Sequence, residues 1–375
     1  MTDFATPMRA IDEWVDNGIV RGASAVIWHG GGIAATRVAG IARGDEPVRE
    51  DTLFALASVS KPITAAALLK AVDDGDLALD SPVAALVPEL GEVDDPLDAE
   101  VVPQLEALRE HVTVRQLLCH VAGLPENVGA KRVRTRDRPS LDQIVDAMCG
   151  LPLLSAPGET LRYSNPGFGI AGRVLERATG RQVHAYIERE ILEPLGLTSV
   201  AVRSGTTQDH HIAHVDDASN GGSDVESYNS DYWRSTGIPW GGFFGSPTDL
   251  ARFAASFFEG QASPLSAESR ADMIVDQTGG APGGVNSPGV HWQHGAWGLG
   301  WEVAADKRQH WTGTLRSPRT FCHWGQAGTL LWADPDRELV LAVFANRSVR
   351  QPWPLKPARW LQLSDAVVEA ADSHS

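Results

Sequence analysis

Residues 320–345 read TFCHWGQAGTLLWADPDRELVLAVFA, and their pattern decides the fold. Three runs, Thr320 to His323, Thr329 to Ala333 and Glu338 to Ala345, are dense in Leu, Val, Phe and Trp and set off by Gly, Pro or Asp. That is how strands read. Between the last two, Asp334-Pro335-Asp336-Arg337 offers a turn-favouring residue at each step, so an antiparallel pair follows. Leu299 to Val303 reads as one more strand of the same block.

The opposite end of the chain answers this block. Pro7 to Asn17 reads as a short helix with Ile11, Trp14 and Val15 on one face and Gly18 as its stop. Ala23 to His29 and Ile33 to Ala39 are β-rich and joined by Gly30-Gly31-Gly32, a hairpin signal. From Pro62 the period turns helical, with Gly75 after the last turn. Further helices are expected at Val114 to His120, Leu141 to Met148, Gly167 to Thr179, Gln182 to Ile191 and Thr248 to Glu259, with a closing one at Lys356 to Ala370. Residues 203–240 and Gly279 to Gly295 read as loose, Gly-rich segments.

The expected architecture is therefore α/β (α+β). One antiparallel sheet, built from residues 1–62 and 240–375 and flanked by helices, forms one domain. Residues 63–239 form a mostly helical insertion with a covering loop near 203–240, and a cleft between the two is the natural ligand site.

Composition narrows the function. The chain has 375 residues, 43% hydrophobic, and a formal net charge of −16. An acidic surface repels phosphate backbones, so no nucleic-acid partner is expected. Cys119, Cys149 and Cys322 are far apart and odd in number, which fits a reducing compartment rather than a disulfide framework or zinc site. The amino terminus is amphipathic and acidic, and no window holds eighteen consecutive apolar residues. A cytoplasmic protein without a membrane partner is expected. The acid-rich stretch Glu89 to Glu110 and the basic run Lys131 to Arg138 read as solvated faces.

Three groups of residues carry chemistry. Ser58 and Lys61 stand three apart at the start of a helix and so share a face. A lysine made neutral by burial can take the proton of a neighbouring serine, and the free N–H groups of the helix start suit a developing oxyanion. Tyr163-Ser164-Asn165 follows Pro157-Gly158 in a loop just before a helix. A tyrosinate-like hydroxyl there can relay a proton, and the Asn amide can hold a substrate carbonyl. With 4 tyrosines and 7 asparagines, only about 0.07 Tyr-x-Asn matches arise by chance. The third group is His323-Trp324-Gly325 on a late strand, where a Gly lets substrate approach the backbone.

In this order the three groups resemble the serine β-lactamase and penicillin-binding-protein superfamily, whose signature is Ser-x-x-Lys, then Tyr-x-Asn or Ser-Asp-Asn, then Lys-Thr-Gly or a variant. The Tyr-x-Asn form looks like the class C branch, with its family VIII carboxylesterases and D-peptidases. LFALASVSKPITAAALLKAVDDGDLALDSPV, VTVRQLLCHVAGLP, PGETLRYSNPGFGIAGRVLERATG and WGGFFGSPTDLARFAASFFEG are similar to that family's linking segments. The resemblance implies Ser58 as acyl-forming nucleophile, Lys61 as its base, Tyr163 as partner in base and acid work, and Asn165 as substrate holder. It implies an oxyanion hole from the backbone N–H groups of Ser58 and Gln326, with His323, Trp324 and Gly325 on the substrate-binding strand. His323 stands where the family often has Lys, and Trp324 where it often has Thr or Ser.

Other readings are weaker on residues alone. Ser60 reads as structural, and Cys322 as a small buried strand residue. His210, His211 and His214 with Asp216 have a spacing a metal could use, but the segment lacks a helical pattern and reads as a surface loop, so no metal or cofactor is expected. No G-x-S-x-G occurs, which argues against an α/β-hydrolase. Trp240, Trp292, Trp297 and Trp324 lie in or beside the loose stretches and are candidates for lining an acyl pocket. The expected function is hydrolysis of small-molecule carboxylic esters through an acyl-enzyme. The alternatives are a β-lactamase or D-amino-acid peptidase on the same scaffold, and a non-catalytic binding protein that kept the fold. The sequence leaves the oligomeric state open.

Overall fold

Gly22–His29 and Leu339–Ala345 are apolar at nearly every position, and in the computed structural model they pair with each other, from Ala23 opposite Ala345 to His29 opposite Leu339. The structure describes residues 2–91, 103–129, 132–203, 211–216, 228–286, 289–308, 310–356 and 358–373. Both strands are buried along their length, so neither shows the alternation of a half-exposed strand. They are the middle of a seven-stranded sheet, ordered Glu302–Val303, Phe321–Gly325, Thr329–Asp334, Leu339–Ala345, Gly22–His29, Gly32–Arg43, Glu46–Pro47. Every neighbouring pair is antiparallel. The sheet expected from the two ends of the chain is the one observed.

Helices Ala5–Asp16 and Arg359–Asp372 pack on each other and on this sheet, and Pro247–Ala255 packs on its two central strands. Between the halves of the sheet the chain is mainly helical. Ser60–Asp73 buries its first ten residues without a break, which explains why its sequence lacks a polar stripe. Thr113 and Ser140 close capping boxes with Gln116 and Gln143, and Ser164 caps Asn165–Thr179, which Gly180 ends at φ 68°. Among the described residues, no helix is long and apolar enough to cross a membrane.

Three elements differ from expectation. The strand expected over 299–303 pairs only at Glu302–Val303, because Gly300 turns at φ 87° and donates its N–H to Leu118 instead. The helix expected to run to Ile191 widens into a π turn over Glu188–Leu192. The stretch 279–295 is not loose throughout: Gly283–Val285 pairs with Leu161–Arg162 and with Val290–Trp292. Part of the expected covering loop, residues 204–210 and 217–227, lies outside the described residues, as do 92–102 of the acidic stretch and Lys131 of the basic run.

Candidate active site

Ser58 lies in the tight turn Ala57–Val59 that leads into the Ser60–Asp73 helix. The turn opens at Ala57 with φ 46°, a left-handed conformation that costs a residue with a Cβ about 1 kcal/mol or more. Its surroundings hold it there. Ser60 Oγ donates to the Ala57 carbonyl at 2.7 Å and accepts from Phe243 N–H at 3.2 Å, the structural role its sequence position suggested. Thr329 Oγ1 donates to the Leu56 carbonyl at 3.0 Å. The Phe321–Gly325 strand reaches this turn only because residue 325 lacks a side chain: a Cβ there would fall 2.2 Å from the Leu56 carbonyl oxygen.

Lys61, fully buried, points its Nζ at three neutral oxygens: Ser58 Oγ at 3.1 Å, Asn165 Oδ1 at 2.7 Å and the Trp240 carbonyl at 2.8 Å. Burial, with no carboxylate among these partners, pushes the ammonium well below its usual range, and Glu126 offsets this only in part. Tyr163 packs beside it, its ring centre 4.8 Å from Nζ. Burial pushes the Tyr163 phenol well above its usual range against a hydrogen bond with Ser58. Burial thus favours the protonated phenol over the tyrosinate-like form expected from the motif. The structure thus brings Ser58, Lys61, Tyr163 and Asn165 into one cluster.

The family model for beta-lactamases matches residues 9–364 of this chain. This chain belongs to the beta-lactamase family. It is 36% identical over 194 residues to esterase EstB of Burkholderia gladioli, an alignment that takes in 47% of this chain and 45% of that protein. It thus spans about half the length of the curated relatives it matches. The crystal structure of a beta-lactamase from Mycobacterium bovis superposes with a TM-score of 0.65 at 28% identity, covering 96% of this chain and 99% of that one. A family VIII carboxylesterase structure, at 22% identity, shares the fold with a TM-score of 0.77 over 97% of each chain.

Within this beta-lactamase-family scaffold a cavity of about 270 Å³ opens from Ser58, and Asn165 and Gln326 line it as well. Its apolar wall comes from Val128, Val133, Ile144, Met148, Ile238 and Trp240, and Arg350 contributes a cation. The other residues of the third motif stand elsewhere. His323 is buried behind Tyr163, its ring centre 6.1 Å away, with Nδ1 on the Trp324 carbonyl at 2.9 Å. Burial pushes it down to about 3, and Lys61 nearby acts in the same direction, so it is a neutral imidazole. Trp324 is half-buried against Trp311, ring centres 5.2 Å apart. Of the four tryptophans expected at the pocket, Trp240 lines the cavity and Trp292, Trp297 and Trp324 do not.

Several residues here escaped the reading of the sequence. Asn127 accepts from Asn165 Nδ2 at 2.7 Å and so orients the amide. His120, at φ 61°, accepts the Ser164 N–H at 3.0 Å and packs at a tilt on the Tyr163 ring, centres 4.5 Å apart. Neither belongs to a motif with a chemical signature, and the Trp240 carbonyl has none at all.

A second buried cluster lies where Glu302–Val303 pairs with Phe321–Gly325. Glu302 accepts from Lys307 Nζ at 3.0 Å and Trp311 Nε1 at 2.7 Å, with His310 Nε2 at 3.3 Å. Glu302, His310 and Cys322 form a trio of possible metal donors, the one such group among the described residues. Lys307 and Trp311 already engage both carboxylate oxygens, and burial holds the Cys322 thiol up. Of the histidine series, His211 and His214 are exposed and His210 lies outside the described residues.

Proposed function

We propose that the protein is a serine hydrolase that cleaves carboxylic esters through an acyl-enzyme on Ser58. The observation that carries this reading is Lys61 Nζ, buried among neutral acceptors and 3.1 Å from Ser58 Oγ. A neutral amine accepts the serine proton as Oγ bonds to the ester carbonyl carbon. The oxyanion that forms lies against the backbone N–H groups of Ser58 and Gln326. As the C–O bond breaks, the Tyr163 phenol protonates the departing alkoxide and recovers a proton from the Lys61 ammonium. A water then attacks the acyl carbonyl carbon and gives up its proton to the same pair, the C–Oγ bond breaks, Ser58 Oγ takes that proton back, and the carboxylic acid leaves. The esterase EstB relative supports an ester substrate, as does the apolar part of the cavity wall, from Val128 to Trp240.

A second reading, hydrolysis of a lactam or D-peptide carrying a carboxylate, draws on Arg350 in the cavity lining and on the beta-lactamase among the structural relatives. Intact mass after fluorophosphonate treatment tests the shared chemistry. One adduct is expected, mapped to Ser58, with Ser58→Ala folded and at least ~10⁴-fold slower on p-nitrophenyl butyrate. An adduct on another serine, or unchanged turnover in Ser58→Ala, refutes it.

A further inference from the structure

The Asn165–Thr179 helix carries glycine at 169 and 172, where alanine favours a helix more. Close approach explains both. A Cβ on Gly169 would lie 2.3 Å from Met148 Sδ and 3.1 Å from the Trp240 ring, and one on Gly172 would lie 3.1 Å from Pro239 Cγ. The strap Ile238-Pro239-Trp240 is held against this helix from its other side, because Thr64 Oγ1 donates to the Pro239 carbonyl at 2.7 Å and Lys61 to that of Trp240 at 2.8 Å. Met148 and Trp240 therefore sit against the helix at Gly169 with no room for a Cβ between. Both line the cavity that opens from Ser58.

Tyr163, which hands its proton to the leaving group in the mechanism above, does not line that cavity. The leaving group departs on the tyrosine side, so the cavity receives the other half of the ester. Resting on the acyl-enzyme reading, we infer that this cavity is the acyl pocket and that Gly169, which touches no substrate, sets its depth by seating Met148 and Trp240. Its volume of about 270 Å³ lies near the small end of ligand pockets. With its apolar wall, this selects uncharged aliphatic acyl groups of about four to eight carbons.

Gly169→Ala pushes Met148 Sδ toward the cavity while leaving Ser58, Lys61 and Tyr163 untouched. Values of kcat/KM for p-nitrophenyl acetate, butyrate and octanoate are measured on each variant, all of which share one leaving group. In Gly169→Ala the octanoate-to-acetate ratio is expected to fall about tenfold, which is ~1.4 kcal/mol, with acetate hydrolysis and Ser58 labelling retained. Adding Met148→Ala in the same chain restores the ratio. Met148→Ala alone, which leaves the helix as it is, raises the ratio above that of the natural chain. An unchanged ratio in Gly169→Ala, or an equal loss on all three esters, overturns the inference, as does an unchanged ratio in Met148→Ala. A natural chain that resists fluorophosphonate and hydrolyses none of the esters instead overturns the acyl-enzyme reading beneath it.

Discussion

Lys61 and Lys307 are both buried to exclusion of solvent, and both lie over aromatic rings, Tyr163 at 4.8 Å and Trp292 at 4.0 Å. Their partners differ. Lys307 meets the Glu302 carboxylate at 3.0 Å and the Ala296 carbonyl at 2.7 Å. Lys61 meets a hydroxyl, an amide and a carbonyl. Burial alone pushes Glu302 up, yet the Lys307 charge and the hydrogen bonds from His310 and Trp311 more than offset that and hold it low, while burial pushes His310 itself down to about 4. One site is a compensated ion pair. The other is an amine that no counter-ion in contact keeps charged. A buried lysine is therefore a base or a strut according to what faces it, and burial by itself does not say which.

Substituting methionine at each position tests that contrast most severely. Lys61→Met is expected to lower kcat/KM for p-nitrophenyl butyrate by about 10⁴-fold while the melting temperature holds or rises. Lys307→Met removes one partner of a buried pair and is expected to cost about 3–5 kcal/mol of stability, with activity retained in whatever fraction stays folded. Lys307→Met with Glu302→Leu recovers much of the loss, because no bare carboxylate remains. Comparable destabilisation by both single substitutions, read from urea titrations, erases the distinction.

The pH dependence sharpens it. Unfolded, Lys61 holds its proton up to the ordinary lysine value of 10.5, whereas the folded chain releases it at a lower pH. Between those two values folding expels a proton, so the contribution of Lys61 to stability rises with pH and levels off above 10.5. Lys61→Met is expected to flatten that part of the stability curve. In the same window kcat/KM falls by one proton as pH drops through the lowered value, since a protonated Lys61 cannot take the proton of Ser58. A flat acid limb, or one that survives in Lys61→Met, rules the lysine out as base.

The smallest effect concerns Trp324. A β-lactam carries an anion that must be desolvated, and Trp324, outside the cavity on the strand that adjoins the Ser58 turn, leaves that strand without the hydroxyl the family often has there. The natural chain is expected to prefer p-nitrophenyl butyrate to nitrocefin. Trp324→Thr is expected to shift that ratio about tenfold toward nitrocefin at a stability cost of ~2 kcal/mol, less than for a fully buried Trp. A natural chain that prefers nitrocefin favours the Arg350-based reading.

What was legible in the sequence follows from distance along the chain. Ser58 and Lys61 lie one turn apart, so helical spacing alone joins them. The central strands announce themselves because both of their faces are buried. Tyr163 and Asn165 joined the site through motif order, a weaker kind of information than spacing. The Trp240 carbonyl carries no residue-type signature, since every residue has one. His120 and Asn127 reach the site through a left-handed turn and a loop, which leave no period to detect. The Glu302–Lys307–His310 cluster was invisible for a related reason: its charges look like ordinary surface charges until the strand and turn that bury them are in place.

The pairing of Ala23 with Ala345 also sets a timetable for the nascent protein. At about 5–20 residues per second, roughly 15–60 s of translation separate the emergence of the first strand from that of its partner. Through that interval Gly22–His29, apolar along its length, has only the hairpin strand after it and an open edge on the other side. Ribosome-bound chains stalled before residue 339 are therefore expected to leave that edge uncovered, and pairing with Leu339–Ala345 covers it.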